Sequence, residues 1–286
     1  MPKTSQSDPG PDPGPEPAPQ IAASYLSLIY TAGGALLYGL GCLAVWANPE
    51  GGRLAWAMQV IGPLLVAVGV TISLEHLLKQ LGAWVVNLSI AGLAIWALSG
   101  LPFLIQPALY ALFTYTQVLY LAWALAYLLF AVALFCTLAR KESRLAKGED
   151  SIHASFLSLT FGAVGWMLFG LGFLALAENL VGTRFVWGLQ AIGPILIALA
   201  LATHIDHLTA TLGRGAVSLA IIGAFVWSLT TVAFVFDPEL AASPTWGPLC
   251  FWGIYGSGII LGGLAVVAVI ARKRAQAHEA KAQAAQ

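Results

Sequence analysis

Residues 25–99 and 156–230 of this 286-residue chain are one sequence written twice, at a constant shift of 131 and without a gap. About 31 of the 75 aligned pairs are identical. The matches include residues that apolar composition alone does not produce. Gly39-Leu40-Gly41 returns as Gly170-Leu171-Gly172, Arg53 as Arg184 and Trp56 as Trp187. Gln59-Val60-Ile61-Gly62-Pro63 returns as Gln190-Ala191-Ile192-Gly193-Pro194, and Glu75-His76 as Asp206-His207. Whatever the first copy folds into, the second is expected to repeat.

Composition names the medium. Only 9% of the residues are charged and 59% are hydrophobic, whereas a soluble domain carries about 25% charged residues. Such a chain cannot cover a water-facing surface. Eight apolar stretches lie near 23–46, 55–78, 84–105, 115–139, 155–178, 186–208, 215–236 and 247–271. Each reaches the roughly 20 residues that a helix needs to cross hydrocarbon. Backbone groups in lipid must bond within the segment, and the alternation of barrel strands is missing, so the stretches are read as helices. The expectation is an all-α integral membrane protein with eight transmembrane helices in two tandem four-helix repeats. Four is even, so both copies enter the membrane in the same direction. The repeats are then parallel, related by a pseudo-two-fold axis along the membrane normal. The fourth helices align at a shift of 132, with Leu138-Ala139-Arg140-Lys141 against Ile270-Ala271-Arg272-Lys273.

Five regions follow: a Pro-rich tail over 1–22, the first repeat over 23–139, a basic linker over 140–153, the second repeat over 154–272 and a C-terminal tail over 273–286. The tail up to Gln20 holds Pro-Gly, Asp-Pro and Glu-Pro pairs and almost nothing apolar, so it is expected to be disordered. It lacks the basic start and short apolar core of a secretory signal. With the N-terminus inside, eleven basic residues fall on the cytoplasmic side and only Arg53 and Arg184 outside. That bias places both termini in the cytoplasm of a multi-pass plasma (inner) membrane protein. The formal net charge is zero, which gives nucleic acid nothing to attract it. The expected partners are the lipid bilayer and either other membrane subunits or a second copy of the chain. Cys42, Cys136 and Cys250 have no metal-site or disulfide spacing.

Two constellations could carry chemistry. Glu75-His76 and Asp206-His207, with His204 one turn before His207, set ionisable groups at the ends of the second and sixth apolar stretches. An ionisable group within a membrane helix costs several kcal/mol unless it is paired or hydrated, so it marks an ion or proton path by default. His76 and His207, one from each copy, could also ligate a b-type haem or a transition metal. Their competing structural role is plain polarity at an interfacial helix end. Ser73 occupies the first-copy position of His204, so a histidine-based function would be asymmetric. The second constellation pairs Gln59 with Pro63 and Gln190 with Pro194. Each proline kinks its helix and frees the carbonyl of the glutamine four residues back. That kink could line a ligand site or act as a hinge.

Three functions fit these residues. The first is translocation of a proton, ion or small solute through the kinked second and sixth helices. The second is a non-catalytic subunit or assembly scaffold of a membrane complex. The third is a redox protein holding haem or metal through His76 and His207. The loops are too short for a soluble-type active site, and no GxSxG, HExxH, Walker or EF-hand pattern occurs.

Overall fold

Ser24 and Ser155 open the two copies in the same way. Each sits in extended backbone, and its hydroxyl accepts the N–H of the residue three further on, Ser27 or Ser158, at 3.0 Å. These are the N-caps of α1 (Tyr25–Ala47) and α7 (Phe156–Ala177). A computed structural model describes residues 21–48, 52–149, 152–178, 180 and 183–284. The expected disorder of the leader concerns residues 1–20, which lie outside that range. The remaining helices are α2 (Arg53–Ile72), α3 (Leu74–Leu81), α4 (Ala83–Ser99), α5 (Leu101–Ile105), α6 (Phe113–Leu145), α8 (Arg184–Ala202), α9 (Ile205–Leu212), α10 (Arg214–Phe236), α11 (Trp246–Pro248) and α12 (Tyr255–Ala284). A π-helical turn, Leu249–Ile254, joins α11 to α12.

Among the described residues, eight helical segments are long and apolar enough to cross a membrane. They match the eight expected stretches, except that the second and sixth end early and the fourth and eighth run on. The second and sixth spans stop at Ile72 and Ala202, not near 78 and 208. The chain breaks at Ser73 and at Thr203-His204 and starts the eight-residue helices α3 and α9. Neither short helix has a buried residue. Leu74, Leu77, Leu78 and Leu81 share one face of α3, and Glu75, His76 and Lys79 lie off it. That pattern suits a helix lying at an interface better than one crossing hydrocarbon. Each short helix hands over to the next span through a glycine with positive φ, Gly82 at 88° and Gly213 at 92°. A side chain there would be strained. The basic residues expected in a linker begin inside a helix, since α6 runs on to Leu145, and α12 likewise continues to Ala284.

Helices that have left water gain nothing further from the hydrophobic effect, so they associate by close packing and hydrogen bonds. Glycines supply the closeness. A Cβ on Gly62 would lie 2.8 Å from the Gly34 carbonyl oxygen, and one on Gly193 would lie 2.8 Å from that of Gly165. Hydroxyls supply the bonds. Ser27 donates to the Gly69 carbonyl and Ser158 to that of Ala200, each at 2.7 Å. Such a bond is worth about 0.6 kcal/mol on average.

The spans form a ring in sequence order. α1 packs on α2, α2 on α4, α4 on α6, α6 on α7, α7 on α8, α8 on α10, α10 on α12, and α12 closes back on α1. At the closing seam a Cβ on Gly39 would lie 2.8 Å from the Gly256 carbonyl oxygen, and one on Gly256 would lie 2.8 Å from that of Gly39. Lysines tie the contacts of α6 with α7 and of α12 with α1. Lys141, buried at the end of α6, donates to the Ile152 carbonyl ahead of α7. Lys273 on α12 donates to the Ile21 and Ala23 carbonyls ahead of α1.

Candidate functional site

The ionisable candidates lie outside the spans. Glu75 and His76 occupy the first turn of α3, and Asp206 and His207 the first turn of α9; all four are exposed. Both short helices sit at the same end of the ring. Arg140 donates to the Gln80 carbonyl at 3.1 Å and Arg144 to that of Lys79 at 2.7 Å, which holds the end of α3 against the end of α6. The His207 ring stacks on that of His153, just ahead of α7, with centroids 5.5 Å apart, and lies 4.8 Å from the ring of His204. His204 is half-buried, and its Nε2 has no hydrogen-bond partner. Burial holds its pKa below the ordinary value, and the charges of His207, His153 and Lys141 push the same way.

The structure thus brings together His204, His207 and the unanticipated His153, and it leaves His76 elsewhere. α3 packs on α4, whereas α9 packs on α8, α10 and α12. Among the described residues no three His, Cys, Asp or Glu side chains are placed to hold a metal ion.

Gln59 and Gln190 are both buried, and each crosses to the preceding span. A Cβ on Gly41 would meet Gln59 Cγ at 3.0 Å, and one on Gly172 would meet Gln190 Cγ at 2.8 Å. Gln190 Nε2 donates to the Phe169 carbonyl at 3.3 Å, while Gln59 Nε2 is buried without a partner. Gln190 therefore ties α8 to α7, whereas Gln59 packs against Gly41 of α1 without a bond from its amide nitrogen. The prolines behave differently from each other: Pro63 lines a cavity inside the ring, and Pro194 stands one turn before Ile197, which lines the same cavity.

That cavity holds about 260 Å³, with walls from α1, α2, α4, α8, α10 and α12. Its residues Val66, Leu201 and Ala220 lie on the halves of α2, α8 and α10 nearest the α3 and α9 end. A closed girdle of aromatic rings bounds it. Tyr38 meets Trp96 at 4.8 Å, Trp96 meets Tyr127 at 5.6 Å, and Tyr127 meets Phe169 at 5.0 Å. Phe169 meets Trp227 at 4.8 Å, Trp227 meets Tyr255 at 5.8 Å, and Tyr255 returns to Tyr38 at 6.2 Å. The hydroxyls of Tyr127 and Tyr255 bond across the middle at 3.0 Å. Beyond the girdle, toward the opposite end, a second cavity of about 200 Å³ lies among Tyr110, Tyr120, Trp187 and Trp252. Edge-to-face ring pairs at these separations each add about 0.5–1.5 kcal/mol beyond their area. The girdle is therefore a firm partition.

Sequence reasoning missed this girdle. Its only advance signal is the ten tryptophans, and in a span that is apolar all round nothing separates a ring facing lipid from one facing the lumen. No protein-family model matches this chain, and comparison with curated proteins and with solved structures gives no match either.

Proposed function

We propose that the eight spans are two parallel four-helix repeats that carry a small uncharged solute across a plasma membrane, with both termini cytoplasmic and the α3 and α9 end inward. The observation that carries this reading is the pair of cavities on opposite sides of the aromatic girdle, the inner one walled by both proline-bearing helices. Pro63 and Val66 come from α2, and Ile197 and Leu201 from α8. A kinked helix has lost a backbone bond and bends at that point at little cost. Bending at Pro63 and Pro194 is the motion that would part the girdle.

The solute is uncharged because, among the described residues, no Asp, Glu, Lys, Arg or His lines the inner cavity. A charge there would be unpaired, and burying it would cost far more than the walls return. Glu75 and Asp206 sit at the inward rim, where they hydrate the mouth of the ring.

Cysteine labelling tests this reading without knowledge of the solute. In a background with Cys42, Cys136 and Cys250 replaced by Ala, Val66→Cys and Ile197→Cys should react with N-ethylmaleimide in membranes. The reaction should slow when Pro63→Ala and Pro194→Ala are added. Cysteines that stay unreactive at both positions would leave a closed scaffold as the function.

A further inference from the structure

The inner cavity is walled by small residues where the opposite side of the ring carries large ones, although Phe130 and Trp166 there still line a cavity of about 480 Å³ between α4, α6 and α7. Trp166, Tyr127 and Phe130 occupy that side and touch one another, with Tyr127 stacked on Trp166 at 5.4 Å and Phe130 against Trp166 at 5.5 Å. The residues aligned with them are Ala35, Ile259 and Gly262, and all three line the cavity. Gly223 and Gly258 have a reason to be glycine, since a Cβ on either would lie 2.8 Å from the other's carbonyl oxygen. Gly262 has none: a Cβ there meets nothing within 4 Å.

An unmatched donor stands in the same wall. In the first copy, Trp96 Nε1 donates to the Tyr38 hydroxyl at 3.1 Å. The second copy keeps the ring pair, Trp227 against Phe169 at 4.8 Å, but position 169 has no hydroxyl. Trp227 is 7% exposed, it lines the cavity, and its Nε1 is buried without a hydrogen-bond partner. Most buried donors in proteins are satisfied; here Trp56 Nε1 and Gln59 Nε2 are also unpartnered, but only Trp227 among them lines this cavity.

From this we infer that the cavity is a binding site for a neutral, ring-bearing apolar molecule that carries a hydrogen-bond acceptor. The inference rests on the preceding reading only in needing a cavity that can be reached. Size sets the ring count. An apolar cavity of roughly 150 Å³ takes up benzene, so about 260 Å³ suits a substituted ring or a fused pair. Tyr38, Trp96 and Trp227 give the ring aromatic surfaces to pack on, and the small residues of α1, α10 and α12 let it lie close to backbone. A carbonyl on the ring supplies the acceptor that Phe169 lacks.

Duroquinone and durene separate these elements, since they share a shape and only the first carries carbonyls. Duroquinone added to the purified full chain in nanodiscs should quench tryptophan fluorescence saturably. Gly262→Phe and, as a second route to filling the space, Ala35→Trp should abolish the saturable part while the protein remains monodisperse. Durene should compete only weakly, and Trp227→Phe should weaken duroquinone toward the level of durene. Quenching that rises without saturation and is the same in native and filled variants overturns the site. Equal competition by durene overturns the acceptor. Quenching by brominated acyl chains that duroquinone cannot relieve shows a lipid tail as the occupant and overturns the ligand class. If Val66→Cys labels but duroquinone fails to bind, this inference fails and carriage stands; if neither occurs, both fail.

Discussion

Single side chains in this protein are best understood in pairs 131 residues apart. Trp96 and Trp227 are the same residue in the same kind of contact, yet one has its hydrogen bond and the other does not. Tyr38→Phe should therefore cost about 1–3 kcal/mol, the penalty for stranding a buried donor. The reverse change, Phe169→Tyr, should recover about 1 kcal/mol by giving Trp227 its acceptor. Melting of the two variants in detergent checks both signs. His204 provides a second residue-scale prediction. Its pKa is lowered from 6.5 in the fold, so below that pH the unfolded chain takes up the proton first. Stability should be flat above pH 6.5 and fall as the pH drops beneath it, and His204→Gln should flatten that fall in a pH series of melting curves. The sequence showed His204 and His207 as neighbours on a helix. It could not show His153, just ahead of α7, whose ring stacks on His207. Gln59 and Gln190 were visible as buried polar groups, but the direction in which they reach, back to α1 and α7, depends on packing.

At the scale of helices, hydropathy located every span because length and apolarity are what lipid selects. It misplaced the ends of the second and sixth for the same reason. Leu74, Leu77, Leu78 and Leu81 continue the apolar count past Ser73, although on an eight-residue helix they make one face and not a cylinder. The break is a local backbone event, marked by Ser73 in one copy and by Thr203-His204 in the other, and a sliding window averages across it. Glycines show the opposite case, in which the letter is plain but its purpose needs neighbours. Gly193→Val should prevent assembly, because a Cβ at 193 would sit 2.8 Å from Phe169 Cβ as well as from the Gly165 carbonyl oxygen. Gly188→Ala, on the same helix with nothing within 4 Å of its Cβ, should fold as the native chain does and gain slightly from helix propensity. Size-exclusion profiles of the two variants distinguish a glycine that permits contact from one that merely sits in a helix.

The whole molecule is a closed ring, and closure imposes an order of events. α1 leaves the ribosome well before α12. The face of α1 that carries Gly39 is made for Gly256, and the segment leading into it, at Ile21 and Ala23, is made for Lys273. Until α12 has been made, lipid or an insertion factor must occupy that face. A chain stopped after Phe236 should insert its seven spans yet remain open at this seam and be degraded. Co-expression of residues 243–286 as a separate peptide should restore its half-life in a pulse-chase experiment. The seam between α12 and α1 is therefore the step at which the ring closes, and the shielding of Gly39 reports closure.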